Sequence, residues 1–354
     1  VLNRLLVSLT SSQSLSETDI QAAVLQLLDP AVPAELKADF LGALSRKGET
    51  VDEIAAFARE LRSRSLQPSL PENLRGCEIL DIVGTGGDRL STFNISTCVA
   101  IISSAAGVYV AKHGNRASTS PVGSADVMDA LGLAFDLDPA PAMESLVRHR
   151  FCFLFAPKYH PAFKHIVPAR KICAQRGQTT VFNFLGPLLN PVLPTAVLIG
   201  VPRPEFCEPM ARALQSLGIR KGMVVSGAVV DDAGMTKYLD EISPLGKTAV
   251  AEFHHERGLN CSTLDPAIFP VQPAKLADLR GGGRDVNAAI VRDVLCGHDR
   301  GPKRDAVLIN SAAALFISGR AGTLLDGWQL AGEIIDSGKA DQKLRDLATK
   351  TPVA

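Results

Sequence analysis

The chain has 354 residues, 46% of them hydrophobic and 21% charged, which describes a folded globular protein of one large domain or two unequal ones and excludes a disordered chain. Its 37 basic residues balance 37 acidic ones, so no overall field recruits nucleic acid or an anionic membrane, and any anion site must be local. The seven cysteines (Cys77, Cys98, Cys152, Cys173, Cys207, Cys261 and Cys296) are scattered without a C-x-x-C pair, which argues against a disulfide framework or zinc ligands and for a reducing, cytoplasmic setting. No apolar run reaches the ~18 residues of a membrane span.

In chain order, Val1 to Leu9 reads as a first helix rather than a signal segment, although an opening valine leaves room for a removed leader. Ser16 and Asp19 cap a second helix that presents Ile20, Ala23, Val24, Leu27 and Leu28 on one face. A third helix starts at Pro33 with Leu36, Phe40, Ala43 and Leu44 aligned. A fourth follows the capping box Thr50–Glu53 and offers Ile54, Phe57, Ala58 and Leu61. Such short amphipathic helices bury little alone and must pack on a later segment, on the larger domain or on a second copy of themselves. Ser65 to Arg75, with Pro68 and Pro71, reads as a linker.

Beyond it the rhythm changes. Short β-rich runs at Glu78–Val83, Val108–Ala111, Cys152–Phe155, Ala196–Val201, Met223–Val225 and Ala249–Phe253 alternate with helical stretches, which predicts an α/β domain with a mainly parallel sheet. The first run opens into Gly84-Thr85-Gly86-Gly87-Asp88, where glycines let the backbone approach a ligand. Asn94-Ile95-Ser96-Thr97 then starts a small-residue helix whose first turn offers free N–H groups, and the next strand delivers Lys112 at its carboxyl end. Together these predict an anion cradle. It is not a dinucleotide fingerprint, because Arg89 and Lys112 stand where the third glycine and the ribose-binding acid belong. Nor is Gly246-Lys247-Thr248 a Walker loop, since its first glycine would fall at Glu241.

Five strings in sequence carry a resemblance: Asp81 to Asp88 with Phe93 to Thr97, Ala111 to Arg116, Phe151 to Lys158, His165 to Arg170, and Phe182 to Pro191. They closely resemble the anthranilate phosphoribosyltransferase family of tryptophan biosynthesis, over nearly the whole chain. The resemblance implies a helical domain of residues 1–70 to which 160–182 return, and an α/β domain of 76–159 and 183–354 that binds phosphoribosyl pyrophosphate, with the active site in the cleft between them. It also implies a homodimer formed through the helical domain and no nucleic-acid or membrane partner.

Carried over residue by residue, the donor would be held by Gly84, Thr85, Gly86, Gly87, Asp88, Asn94, Ser96, Thr97, Lys112 and Thr119; which phosphate end each group holds stays open. Anthranilate would meet Gly84, His113, Asn115, Pro157, His160, Arg170 and Gly186, with Arg170 gripping the carboxylate through its planar guanidinium. His113 also reads as a packed core histidine. The implied cofactor is Mg2+, held by Ser96, Asp240 and Glu241, because hard cations take carboxylate oxygens plus substrate phosphates. Asp231-Asp232 is a rival pair, since Ala228 to Leu239 separates Asp240 from the preceding strand where many family members have a short turn. Arg280-Gly281-Gly282-Gly283-Arg284 departs from the family's pattern, which often places an acid after paired glycines.

The implied reaction is attack of the anthranilate amine on C1 of the donor with loss of pyrophosphate. No side chain is cast as a covalent or acid–base catalyst; positioning and electrostatic stabilisation suffice. A pyrimidine nucleoside phosphorylase is the sister alternative, but it would carry Lys-His-Ser-Thr-Gly-Gly where Asp81-Ile82-Val83-Gly84 stands. A non-catalytic nucleic-acid-binding relative would show a basic excess, which the balanced charge does not.

Overall fold

The structure is a computed structural model that describes residues 1–117, 122–231 and 233–348. Four helices lead: α1 (Leu2–Thr10), α2 (Glu17–Leu28), α3 (Ala34–Lys47) and α4 (Val51–Ser63). The capping residues act reciprocally, as their spacing predicts. Asp19 N donates to Ser16 Oγ and Ser16 N to Asp19 Oδ2; Glu53 N donates to Thr50 Oγ1 and Thr50 N to Glu53 Oε2.

The α/β part follows as β1 (Ile79–Gly84), α5 (Ile95–Ala105), β2 (Tyr109–Gly114), α6 (Ser124–Ala130), α7 (Pro139–His149), β3 (Phe151–Phe155), α8 (Ala156–Tyr159), α9 (Val167–Gln175), α10 (Phe182–Leu185), β4 (Ala196–Gly200), α11 (Cys207–Ser216), β5 (Lys221–Val230), β6 (Thr236–Leu239), β7 (Thr248–His254), β8 (Gly258–Leu264), α12 (Arg284–Leu295), α13 (Pro302–Ile317), α14 (Leu324–Asp336) and α15 (Lys339–Ala348). The sheet runs β3-β2-β1-β4-β5-β7-β8, with β6 paired to β5. Strands β1 to β5 are mutually parallel; β6, β7 and β8 join antiparallel. The chain leaves β1 for β2 on one side and returns to β4 on the other, which makes the carboxyl ends of β1 and β4 a topological switch point, the crevice where open α/β sheets place ligands.

Alternation along the strands assigns the faces. Leu80, Ile82, Val110, Phe153 and Leu198 join α5, α12, α13 and α14 in one core. On the opposite face Val197, Ile199 and Val224 pack with α11 and with the apolar sides of α1 to α4, so the helical part and the sheet share one continuous cluster. Segment 160–182 lies on those helices: Lys37 Nζ donates to the His165 carbonyl at 3.0 Å, and Arg176 pairs with Glu35 and Asp39. Tyr159–Arg176 is not one continuous helix. Pro161 ends α8, a 3-10 turn spans Pro161–His165, and only Val167–Gln175 is α-helical, with Pro168 in its first turn. Among the described residues no helix is long and apolar enough to cross a membrane.

Candidate active site

The glycine loop leaves β1 at the switch point. Thr85 N donates to the Gly200 carbonyl at 3.0 Å, which ties the start of the loop to the end of β4. Two glycines there are required by close approach. A Cβ on Gly200 would lie 1.5 Å from the backbone oxygen of Asp240, and one on Gly84 would lie 2.8 Å from its Oδ2. The 240 segment is thus inserted into the crevice. Asp240 Oδ2 accepts from Gly86 N at 2.5 Å and from Thr85 Oγ1 at 3.3 Å.

How Asp240 reaches this point explains the extra residues before it. Strand β5 runs past its pairing with β4, turns at Asp231 and returns as β6 in the register Gly227↔Leu239, so Ala228 to Leu239 is a hairpin that sets down Asp240 and Glu241 at the switch point. Asp231 stays at the hairpin tip, where its Oδ1 accepts from Ala233 N and Met235 N. Asp232 lies outside the described residues, as does Thr119.

Asp88, Asp240 and Glu241 come together, with Lys112 beside Glu241. Burial, then Asp88 and Glu241, raise Asp240 well above the usual carboxylate range. Burial pushes Glu241 up to about 8 although Lys112 opposes it, and burial also raises Asp88. Asp88 Oδ1 accepts from Leu90 N, while its Oδ2 is buried without a partner. Lys112 is not extended over the loop. It is 1% exposed, shares the inner face of β2 with Val110, and its Nζ donates to the Ile82 carbonyl at 2.5 Å and to Ser96 Oγ at 3.1 Å, fastening β1 to the first turn of α5 from beneath. Thr97 likewise turns into the core, fully buried with its hydroxyl unpartnered, whereas Ser96 on the next face reaches Lys112. Gly86 and Gly87 are exposed, with Gly86 at φ +70°.

His113 faces the other side of β2. Its ring meets that of His160 edge to face at 5.2 Å and lies beside the Gly186 backbone; the His160 ring lies tilted over Phe163 at 4.9 Å, and Phe163 meets Phe182 edge to face at 5.9 Å. The Arg170 guanidinium sits 5.6 Å over the Phe182 ring and has no carboxylate partner among the described residues. Burial lowers His113 to about 3, with His160 adding to the effect, and lowers His160 to about 4, so both imidazoles are neutral at pH 7. Their buried Nε2 atoms, and Nδ1 of His160, have no hydrogen-bond partner. A Cβ on Gly186 would meet nothing within 4 Å. Asn115 and Pro157 are exposed at the carboxyl ends of β2 and β3. A separate cavity of about 440 Å3, lined by Val51, Cys207, Arg212 and Cys261 among others, contains none of these residues.

Several structuring residues gave no catalytic signal in the sequence. Asp81, fully buried, accepts from His113 N at 3.2 Å and from Asn190 Nδ2 at 2.8 Å, and Asn190 also donates to the Ala111 carbonyl, so the two fix the backbone that carries His113. Asn310 exchanges hydrogen bonds with both backbone groups of Ile242, holding the segment after Glu241. Asn287 donates to Asn94 Oδ1 at 2.9 Å and accepts from Gly282 N at 2.7 Å, which brings the departing Arg280–Arg284 segment against the start of α5. The one available signal was a polar residue inside an otherwise apolar helix face, which is buried only when satisfied.

Comparison with known proteins agrees with this architecture. Residues 76–341 match the model of the glycosyl transferase family α/β domain, and residues 3–65 match that family's helical bundle domain. The chain is 43% identical to an anthranilate phosphoribosyltransferase of Solibacter usitatus, over 97% of this chain and 96% of the relative, and 41% identical to one of Geobacter sp. strain M21 over 99% of each. Among solved structures it resembles the enzyme of Thermus thermophilus with a TM-score of 0.85 at 38% identity, covering 97% of this chain and 98% of that one. The Saccharomyces cerevisiae enzyme in complex with phosphoribosyl pyrophosphate and Mg gives 0.85 at 30% identity, covering 99% and 98%. A similar degree of likeness over nearly the full length recurs in sequence and in fold, and the chain belongs to the anthranilate phosphoribosyltransferase family.

Proposed function

We propose that the cleft transfers the phosphoribosyl group of phosphoribosyl pyrophosphate to the amine of anthranilate, with Mg2+ at the carboxyl cluster. The observation that carries this reading is the gathering of Asp88, Asp240 and Glu241 beside an exposed glycine loop at the switch point. Buried Asp240 and half-buried Asp88 and Glu241 form a cluster of acids in which Glu241 alone is opposed by Lys112, and the buried Asp88 Oδ2 is an acceptor that a cation could take. The donor set is all oxygen and fits a hard divalent ion. The trio does not draw within 4.8 Å, so the protein would share the ion with waters and phosphate oxygens. When bound, the ion would mask the charge of the departing pyrophosphate.

The chain's own residues supply the rest. The exposed backbone at Gly87 presents its N–H group to phosphate oxygens, and the positive end of α5 lies beside it. Lys112 holds the first turn of that helix against β1. The neutral rings of His113 and His160 flank the aromatic acceptor without adding charge, and Arg170 takes its carboxylate. That orients the amine toward C1, where the N–C1 bond forms as the C1–oxygen bond to pyrophosphate breaks and the amine loses one proton to solvent. In the yeast relative's complexes the same fold is found with 4-fluoroanthranilate. The exposed apolar side chains Val7 and Leu25 of α1 and α2 favour association of two copies through the helical part.

The test is the fluorescence of anthranilate on addition of phosphoribosyl pyrophosphate, with Mg2+ and with chelator. Mg2+-dependent decay is expected; a constant signal from folded protein would overturn the assignment of substrate.

A further inference from the structure

The active-site carboxyls are not the only metal-binding chemistry in the molecule. At the far end of α12, whose first turns hold Asn94 through Asn287, the residues Asp293, Cys296 and His298 converge: one ligand atom of each lies within 4.8 Å of the other two, and Asp293 Oδ1 is 3.8 Å from His298 Nδ1. Among the described residues no other three His, Cys, Asp or Glu side chains meet this spacing. The sequence conceals the group, because Asp-x-x-Cys-x-His is not a familiar ligand pattern and becomes one only through the turn that ends the helix. Gly297 adopts φ +78°, which folds the chain back so that the amides of His298 and Asp299 donate to the Asp293 carbonyl at 2.9 and 3.0 Å. The backbone under all three ligands is thereby fixed before any ion arrives.

We propose that Asp293, Cys296 and His298 form a surface site for a divalent transition ion of the zinc type, separate from the active site. One thiolate sulfur, one imidazole nitrogen and one carboxylate oxygen make a donor set that suits Zn2+ or Co2+ and disfavours Mg2+, which takes oxygen alone. Zinc bond lengths put tetrahedral nitrogen and oxygen donors about 3.3–3.5 Å apart and sulfur about 3.5–3.7 Å from either. The Asp293–His298 separation of 3.8 Å is a few tenths of an ångström longer, and side-chain rotation closes it. The negative end of the α12 dipole adds a favourable field for a cation. Three protein ligands leave a fourth position to water, and binding displaces the Cys296 thiol proton.

The probe is Co2+ titrated into the full-length protein, because a thiolate bound to Co2+ gives a charge-transfer absorption in the near ultraviolet that carboxylate sites do not. The band is expected in the wild type and in Cys261→Ser, an exposed cysteine outside the site. It should vanish in Cys296→Ser. His298→Ala should raise the half-saturating Co2+ concentration by roughly tenfold or more, the loss that even a supporting residue of a metal site commonly causes, and Zn2+ should bleach the band. A measurement free of variants runs beside it: Zn2+ should protect Cys296 from maleimide while leaving Cys261 reactive. No band in the wild type, a band that survives Cys296→Ser, or equal labelling of Cys296 with and without Zn2+ would each overturn the proposal.

Discussion

On the donor side of the cleft, acids are forced together by sheet topology; on the acceptor side, neutral rings pack without strain around one free guanidinium. Asp240 is wedged into the switch-point crevice through two glycines and repels Asp88 and Glu241 there. His113, His160, Phe163 and Phe182 form instead a chain of ring contacts at 4.9 to 5.9 Å, rimmed by Arg170. The first half gathers acids that the proposed cation would balance, and the second is a set of neutral rings already in contact. Under the proposed assignment, binding energy comes from neutralising charge on the donor side and from shape and one ion pair on the acceptor side.

The sharpest way to break this contrast is Gly200→Ala. Its Cβ would stand 1.5 Å from the Asp240 carbonyl, backbone against backbone, so the 240 segment must leave the crevice. The expected result is loss of soluble protein or a destabilisation at or above about 3 kcal/mol with no measurable transfer, read by thermal unfolding and the fluorescence assay. Asp240→Asn keeps the shape and removes a carboxyl that a cation could bind. Because burial and its acidic neighbours already favour the protonated carboxyl in the ligand-free protein, the Tm should hold, while kcat/KM for phosphoribosyl pyrophosphate falls by about 10²–10³, the scale of losing one preorganised electrostatic contact. Unchanged donor kinetics would remove Asp240 from the metal site.

These two positions also mark where the sequence stops being legible. The glycine loop, the small-residue helix and the alternating strands announced the parallel sheet and the loop that leaves β1, because local backbone chemistry and period carry that information. The β5–β6 hairpin did not show. Ser226-Gly227-Ala228 interrupts the apolar run after Val225, and the edge strand β8 is largely polar and exposed along Asn260 to Thr263, so neither has a buried-strand signature. Without the hairpin register, spacing could not choose between Asp231 and Asp240. Lys112 and Thr97 are illegible for a related reason: strand alternation and helix period turn both inward, and only the assembled core reveals that direction.

On the acceptor side the largest effect should come from Arg170→Ala. A charge-assisted hydrogen bond to a carboxylate is worth about 1.5–3 kcal/mol, so KM for anthranilate should rise roughly 10- to 100-fold while KM for the donor stays within about twofold. Arg170→Lys should recover only part, because an ammonium cannot repeat the planar two-point grip. A variant that instead weakened the donor would show that the guanidinium serves the pyrophosphate.

The smallest effect tests whether the acceptor wall depends on uncharged rings. Free histidine titrates near 6.5, while burial lowers His160 to about 4 and His113 to about 3. A depressed folded-state value means that the unfolded chain binds these protons first. The stability conferred by neutral imidazoles is thus fully present above pH 6.5 and drains away as pH falls through the window between 6.5 and about 3 to 4. Denaturation midpoints should accordingly drop between pH 7 and pH 5. His160→Gln, which keeps a polar side chain but cannot take the charge, should flatten part of that slope while costing stability at pH 7 through lost ring contacts. If the two slopes coincide, His160 is charged in the folded protein, and an aromatic acid would be held there by a second cation as well as by Arg170.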